Sequence, residues 1–317
     1  MSHTFGFLFP GQGAQVVGMG RDFAAKSPAA AALFRRADEV LELPLSKLCF
    51  EGPLEELTAT DIAQPAIYTC SLAAMAALGE AADEPPVPAM TAGLSLGEYT
   101  AIAAAGAVSF EDGLKLVRLR GAAMQEASEA KPSGMASVMG LDRAGLDQAC
   151  ATVAAESGAI LQVANLNSPG QIVVSGEDAA LDLMEAQAKE LGIRRMRRLT
   201  VAGAFHSEVM RPASERLAAA LEETPFDDAR CPVWQNATAK PAQAADELKR
   251  HLVAQLCAPV LWEESFRGMA AADPGLAFLE PAPGKVLASL ARKIVPDCSV
   301  HNLQAAEDID ALLPLMR

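Results

Sequence analysis

The chain has 317 residues, is 51% hydrophobic and carries a formal net charge of -14. This length and apolar content support one large domain or two smaller ones. The acidic balance argues against sequence-independent nucleic-acid binding and against docking on anionic lipid.

At the N-terminus, the basic start and long apolar region of a signal peptide are missing. Phe5, Phe7 and Phe9 alternate as one face of a strand would, and Pro10-Gly11-Gln12-Gly13 ends that strand. His3 precedes it, where a frayed terminus is expected. Helical periodicity covers 28–42 and 64–79. The most apolar run, Pro65 to Leu78, is too short for a bilayer span and reads as a buried core helix. Pro85-Pro86-Val87-Pro88 is a loop, and Ala89 to Leu94 a short apolar strand leading into Ser95. Residues 97–106 and 110–127 are again helical. This alternation predicts an α/β core with a mostly parallel sheet.

From about 134 the texture changes. Met135 to Gly140 reads as a strand and Asp142 to Glu156 as a helix with an acidic cap. Strands at 160–166 and 171–175 flank the turn Asn167-Ser168-Pro169-Gly170. A helix over 177–191, closed by Gly192, precedes a last strand over 193–201. The order β-α-β-β-α-β is a ferredoxin-like unit. Helices at 207–222, 244–256 and 284–294 and a strand at 276–280 resume the larger texture. The expected organisation is a discontinuous core, 1–131 and 201–317, interrupted by an inserted subdomain, 132–200. The 6 cysteines form no C-x-x-C pair, so no zinc ribbon or dithiol site is expected. They read as free thiols of a cytoplasmic protein.

Gly93-Leu-Ser95-Leu-Gly97 places a serine two residues from a glycine on either side, between a strand and a helix. That pattern can present a hydroxyl on a sharp turn; a turn that merely contains serine is the alternative. A serine nucleophile needs a base, and there are four histidines. His251 lies on an amphipathic helix and His301 in an apolar strand, where structural roles fit. His206, in Val201-Ala-Gly-Ala-Phe-His-Ser207, lies at a strand-to-helix junction, where α/β proteins place working groups. By elimination His206 is the candidate base. The Leu96 N–H is placed by the turn to receive an oxyanion, and the loop Pro10 to Gly13 is the natural source of a second donor. That loop fits neither a P-loop nor a G-x-G-x-x-G phosphate site. Arg120 lies with Leu114, Val117 and Met124 along a largely apolar helix, whereas Arg118 points elsewhere. An ion pair with a core carboxylate and a clamp for a substrate carboxylate both explain Arg120.

Together these stretches resemble the malonyl-CoA:acyl carrier protein transacylases of fatty acid synthesis and the related acyltransferase domains of polyketide synthases. The resemblance runs nearly end to end. It is carried by Phe9-Pro-Gly-Gln-Gly-Ala-Gln15, Ser95-Leu-Gly-Glu-Tyr99, Arg120-Gly121, Asn165-Leu-Asn-Ser-Pro-Gly-Gln-Ile-Val-Val174, Phe205-His-Ser207, Gln255-Leu-Cys-Ala-Pro-Val260 and Pro283-Gly-Lys-Val-Leu287. It implies an α/β-hydrolase-like core with the ferredoxin-like insert, and a ping-pong transfer. Ser95 would take malonyl from malonyl-CoA with His206 as base, and the phosphopantetheine thiol of an acyl carrier protein would receive it. CoA and phosphopantetheine enter as parts of substrates, and no separate cofactor or metal is implied.

The same resemblance puts Arg120 on the malonyl carboxylate and Gln12 with the Leu96 N–H in the oxyanion hole. A main-chain carbonyl at Gln255 would orient the histidine. Phe205 matches a position where malonyl-selective domains carry a bulky aromatic. Leu94 departs from the family, which commonly has histidine there, and Ala282 stands where glycine is usual. Carrier proteins are acidic. The cluster Arg194, Arg195, Arg197 and Arg198, with Lys189 nearby, is a candidate docking patch at the mouth of the site, although strand alternation forbids all four arginines from pointing one way. A solvated strand is the alternative for that patch. A monomer acting without nucleic acid or membrane is expected. The competing readings are a serine acyl hydrolase, a trans-acting malonyltransferase of a polyketide pathway and a non-catalytic scaffold.

Overall fold

The computed structural model describes residues 5–82 and 87–316; His3, Pro85 and Pro86 lie outside the described residues. Two sheets organise the chain. The first begins with β1 (Gly6–Phe9), which is buried on both faces, as strands of covered parallel sheets are. Phe5, Phe7 and Phe9 join one hydrophobic cluster, while Leu8 joins another on the opposite side. The expected alternation therefore separates two cores, not core from solvent.

Helices α1 (Arg21–Lys26), α2 (Pro28–Leu41), α3 (Leu45–Glu51), α4 (Leu54–Thr58) and α5 (Thr60–Ala81) follow. Ser27 caps α2 by accepting the Ala30 N–H, with Pro28 in the first turn. The sequence reading missed α3 and α4: both are short, follow a proline and lack a side-chain cap. In contrast, α5 is longer than expected. Pro65 sits inside it and leaves the Asp61 carbonyl without its usual i+4 donor. Arg118 supplies one instead, through Nη1. By length and composition α5 is apolar enough to cross a membrane, but 78% of that apolar window is buried inside the fold.

Next come β2 (Met90–Gly93), α6 (Leu96–Ala104) and α7 (Phe110–Ala130). Ser109 caps α7 by accepting the Asp112 N–H. The second sheet follows, with β3 (Ser133–Met139), α8 (Arg143–Ser157), β4 (Leu161–Ser168), β5 (Gln171–Glu177), α9 (Asp178–Ala186) and β6 (Arg195–Arg198). Its strand order is β4-β5-β3-β6, all pairs antiparallel. One face packs on α8 and α9 around its own cluster, which includes Val138, Val153, Val174 and Leu181. The largest departures from the expected boundaries lie in its last two elements. The α9 ladder stops at Ala186, and 187–192 turns further before Gly192 (φ 77) closes it with a bond from Ile193 N–H to the Ala188 carbonyl. The last strand is only β6, because after the rung from Leu199 N–H to the Met135 carbonyl the chain turns away.

The remaining elements are α10 (Arg211–Glu223), β7 (Val233–Trp234), β8 (Pro241–Ala242), α11 (Ala245–Gln255), α12 (Trp262–Ala272), β9 (Phe278–Pro281), α13 (Val286–Ile294), β10 (Val300–Leu303) and α14 (Asp308–Leu312). They complete a first sheet of order β10-β9-β1-β2-β7-β8, parallel except for the β7–β8 pair. α12, which has no side-chain cap, packs with α13 on the Leu8 face. A parallel bridge pairs Asn165 of β4 with Val260, so the second sheet is hydrogen-bonded to the segment before α12.

Candidate active site

Only Leu94 and Ser95 connect β2 to α6. Ser95 sits at φ 55 and ψ -104, a strained conformation for a side-chain-bearing residue that costs about 1–3 kcal/mol. The flanking glycines are needed for close approach. A Cβ on Gly93 would lie 1.9 Å from the Gly97 carbonyl carbon, and one on Gly97 would lie 2.1 Å from the Phe9 carbonyl oxygen. Asn236, just past β7, braces the turn. Its Oδ1 accepts the Ser95 N–H at 2.6 Å and its Nδ2 donates to the Gly93 carbonyl at 2.7 Å.

His206 lies in a turn before α10, buried and at φ 58. Its Nε2 is 2.8 Å from Ser95 Oγ and its Nδ1 is 2.9 Å from the Gln255 carbonyl oxygen. Gln255 is the last residue of α11, so its carbonyl has no donor within the helix. A carbonyl can only accept, which puts the proton on Nδ1 and leaves Nε2 as the acceptor for the Ser95 hydroxyl. Burial, reinforced by the Arg120 charge, pushes His206 down to about 4, while the Gln255 and Ala258 carbonyls oppose the shift. The imidazole is therefore neutral at neutral pH, as a general base must be.

Arg120 is fully buried on α7. Its Nη1 donates to Gln64 Oε1 at 2.8 Å, and its Nη2 to Ser95 Oγ and Gln255 Oε1, each at 3.0 Å. Among the described residues these partners are all neutral, and Nε has none. Burial lowers its pKa. Gly121 permits the close packing that brings Arg120 here: a Cβ on it would lie 2.7 Å from the Thr60 carbonyl oxygen at the start of α5. Arg118 points to Asp61 instead, at 2.6 Å.

These groups share a cavity of about 230 Å³. Gln12, Leu94, Ser95, Arg120 and His206 line it on the first-sheet side, and Met135, Asn165 and Val173 on the second-sheet side, with Phe205 beside them. Gly11 lets the Gln12 loop approach; a Cβ there would lie 2.4 Å from the Leu94 carbonyl oxygen. Leu96 opens α6, so its N–H is among the unpaired donors of the helix start.

The structure brings Ser95, His206, Arg120, Gln12, Leu94, Leu96, Gln255 and Phe205 together. It does not bring Arg194, Arg195, Arg197, Arg198 or Lys189 into the cavity lining. Leu199, Thr200 and Val201, just after β6, line it instead. Arg198 shares a face with Met196, toward α9, where it pairs with Asp178, Asp182 and Glu185. Arg195 and Arg197 project from the opposite face, opposite Met139 and Ser137, the face whose Met135 and Val173 line the cavity. His251 is on α11, and His301 stacks edge-on against Phe5 at 5.7 Å.

Sequence reasoning missed Gln64, Glu98 and Asn236. The first two left a signal: an amide inside an apolar helix, and a carboxylate inside the motif itself. Asn236 left none. Glu98 is fully buried, and burial pushes its carboxyl up to about 7 against the bonds it accepts from Asn236 and Gln255.

A parallel α/β sheet carrying a serine–histidine pair on such a turn defines a class, that of enzymes moving acyl groups through serine. The acyl transferase domain family matches residues 6–312, and the chain belongs to that family. It is similar to the malonyl CoA-acyl carrier protein transacylase of Bacillus subtilis, 45% identical over 91% of this chain and 89% of that one. The Escherichia coli protein of the same description is 38% identical over 98% and 99%. Among solved structures, the Coxiella burnetii transacylase superposes with a TM-score of 0.91 at 33% identity, covering 100% of this chain and 98% of that one. A malonyl-transacylase solved in complex with its type II polyketide acyl-carrier protein matches with a TM-score of 0.90 at 35% identity, over 98% and 99%.

Proposed function

We propose that the chain transfers malonyl from malonyl-CoA to the phosphopantetheine thiol of an acyl carrier protein through a malonyl-Ser95 ester, supplying extender units for fatty acid synthesis. The carrying observation is Arg120, a buried cation 3.0 Å from Ser95 Oγ whose Nε has no partner. A neutral acyl group has no use for such a cation. A malonyl carboxylate does, and a hydrogen bond to a charged group contributes about 1.5–3 kcal/mol. The names of the similar proteins support the same substrates.

His206 Nε2 takes the Ser95 proton as Oγ attacks the thioester carbonyl. The main-chain N–H groups of Leu96 and Gln12 receive the oxyanion. The C–S bond breaks, and the CoA sulfur takes the proton from His206 and leaves as the thiol, which returns the imidazole to its neutral form. In the second half the carrier thiol gives its proton to His206 and attacks the ester, and Ser95 leaves and recovers that proton. The Phe205 ring leaves little room for an added methyl, a contrast of about 1–3 kcal/mol. Leu94, apolar where the family commonly has histidine, adds no titratable group to this wall.

The exposed Arg194, Arg195, Arg197 and Lys189 would receive the acidic carrier or the CoA phosphates, with Arg198 held back by α9. The catalytic core is 1–131 and 201–317, with 132–200 as the inserted subdomain. Six unpaired cysteines support a cytoplasmic setting.

Intact-protein mass spectrometry after brief mixing with malonyl-CoA, acetyl-CoA or methylmalonyl-CoA tests this. A malonyl adduct absent in Ser95→Ala, and discharged by a phosphopantetheinylated carrier, is expected. Thioester turnover that needs no carrier would replace the transferase reading with a hydrolase.

A further inference from the structure

Glu98 is a buried carboxylate that the transfer steps do not use, although it stands one helical turn into α6 from the nucleophile. Its Oε2 accepts two hydrogen bonds, from the Asn236 main-chain N–H at 2.7 Å and from Gln255 Nε2 at 3.1 Å. Both donors belong to residues that hold the site. Asn236 braces the Ser95 turn with both ends of its side-chain amide. Gln255 holds His206 with its carbonyl and Arg120 with its side-chain oxygen.

An amide side chain has one accepting and one donating end. Gln255 Oε1 faces Arg120, which can only donate, and Nε2 faces the Ser95 carbonyl at 2.9 Å and Glu98, which accept. Flipping that amide would set donors against the guanidinium and an acceptor against two acceptors. The Ser95 carbonyl enforces this orientation only in part: it also accepts the Glu98 main-chain N–H, and it takes one of the two N–H groups that Nε2 carries. A buried amide donor left without an acceptor costs about 1–3 kcal/mol, enough to loosen a side chain that Arg120 depends on.

We propose that Glu98 is a positioning residue of the transfer reaction: its Oε2 fixes the Gln255 side-chain amide, and through it the place of the Arg120 guanidinium. This rests on the transferase reading above. The role is that of an acceptor oxygen beneath the site, and Glu98 touches neither substrate nor the reacting atoms.

The test compares Glu98→Ala, Glu98→Gln, Gln255→Ala and the double variant Glu98→Ala/Gln255→Ala in malonyl and acetyl transfer to a phosphopantetheinylated carrier, with melting temperature recorded for each. Displacements near 1 Å at a reacting centre can lower rates on the order of 100-fold. Glu98→Ala is expected to lower malonyl transfer roughly 10- to 100-fold and to erode the preference for malonyl over acetyl. Glu98→Gln, which keeps an acceptor oxygen, should restore most of both. The double variant should be no slower than Gln255→Ala, since residues acting through one another are not additive. If Glu98→Ala does not fold, Glu98→Asp withdraws the oxygen by one methylene and should show the same erosion of preference in smaller measure. Additive losses, an unchanged malonyl preference, or Glu98→Gln as slow as Glu98→Ala would each overturn the proposal. A wild type that transfers no malonyl would instead overturn the transferase reading beneath it.

Discussion

Around Ser95, side chains from α5, α6, α7 and α11 converge on one buried network, whereas along β6 neighbouring arginines part to opposite faces of a sheet. Gln64, Glu98, Arg120 and Gln255 are 0–1% exposed and hydrogen-bonded to one another or to the elbow that Gly93 to Gly97 forms around Ser95. Arg195 and Arg197 are exposed, while Arg198 is half-buried against three carboxylates. In the first region low dielectric makes each bond count and each lost partner costly. In the second, solvent screens the charges, and their worth depends on what docks there. Contiguity in sequence thus says little about joint action: residues 191 positions apart, Gln64 and Gln255, grip the same guanidinium, while adjacent arginines do not share a face.

The sharpest way to break the buried network is at its backbone. Gly97→Ala puts a methyl 2.1 Å from the Phe9 carbonyl oxygen, where no flexible side chain can give way. The expected cost is about 3 kcal/mol or more, with loss of the malonyl adduct even in whatever fraction stays folded. Chemical denaturation alongside adduct formation checks it. A variant that retains both would mean the elbow tolerates a wider turn than its packing implies.

That elbow explains which parts of the molecule were readable beforehand. Gly93, Ser95 and Gly97 are diagnostic because the constraint is local: two close approaches and one strained φ within five residues. Arg120 was conspicuous as a charge on an apolar face, but its alternatives could not be separated, since its partners Gln64 and Gln255 lie far away in sequence. The α/β alternation and the order β-α-β-β-α-β were carried by periodicity. The short helices α3 and α4 have neither caps nor length to mark them, and the sequence predicts β6 longer than it is because nothing in Arg194 to Val201 marks where the ladder ends.

Arg120→Ala sharpens the comparison from the substrate side. Removing the guanidinium should lower malonyl loading far more than acetyl loading, with about 1.5–3 kcal/mol lost for each charged hydrogen bond to the carboxylate. Unchanged malonyl-to-acetyl preference would remove Arg120 from the binding role. The same variant has a pH signature. The nearby positive charge holds His206 down, so its removal lets the imidazole rise from about 4 toward its ordinary value. Because only neutral His206 can take the serine proton, the acid limb of kcat/KM for acetyl loading should move to higher pH in Arg120→Ala. Glu98, at about 7, is also held down by Arg120, so its titration rises in the variant too, and the His206 limb is the one read below it. A limb that does not move would show that burial alone sets the imidazole.

The smallest effects belong to β6, and they ask whether its two faces differ in function as they do in structure. Arg195→Glu together with Arg197→Glu reverses two exposed charges on the face that continues into the cavity wall. Each exposed contact is worth about 0.2–1 kcal/mol, so the apparent KM for the carrier should rise roughly threefold to tenfold. Its dependence on salt should flatten as well, because the screened attraction is gone. Arg198→Gln removes a charge already paired with Asp178, Asp182 and Glu185 and should leave the carrier KM and its salt slope where they were. If Arg198→Gln weakened the carrier as much as the double reversal, net charge and not the face of the strand would govern docking. The carrier would then be drawn by the general field of the subdomain, with no surface formed by Arg195 and Arg197.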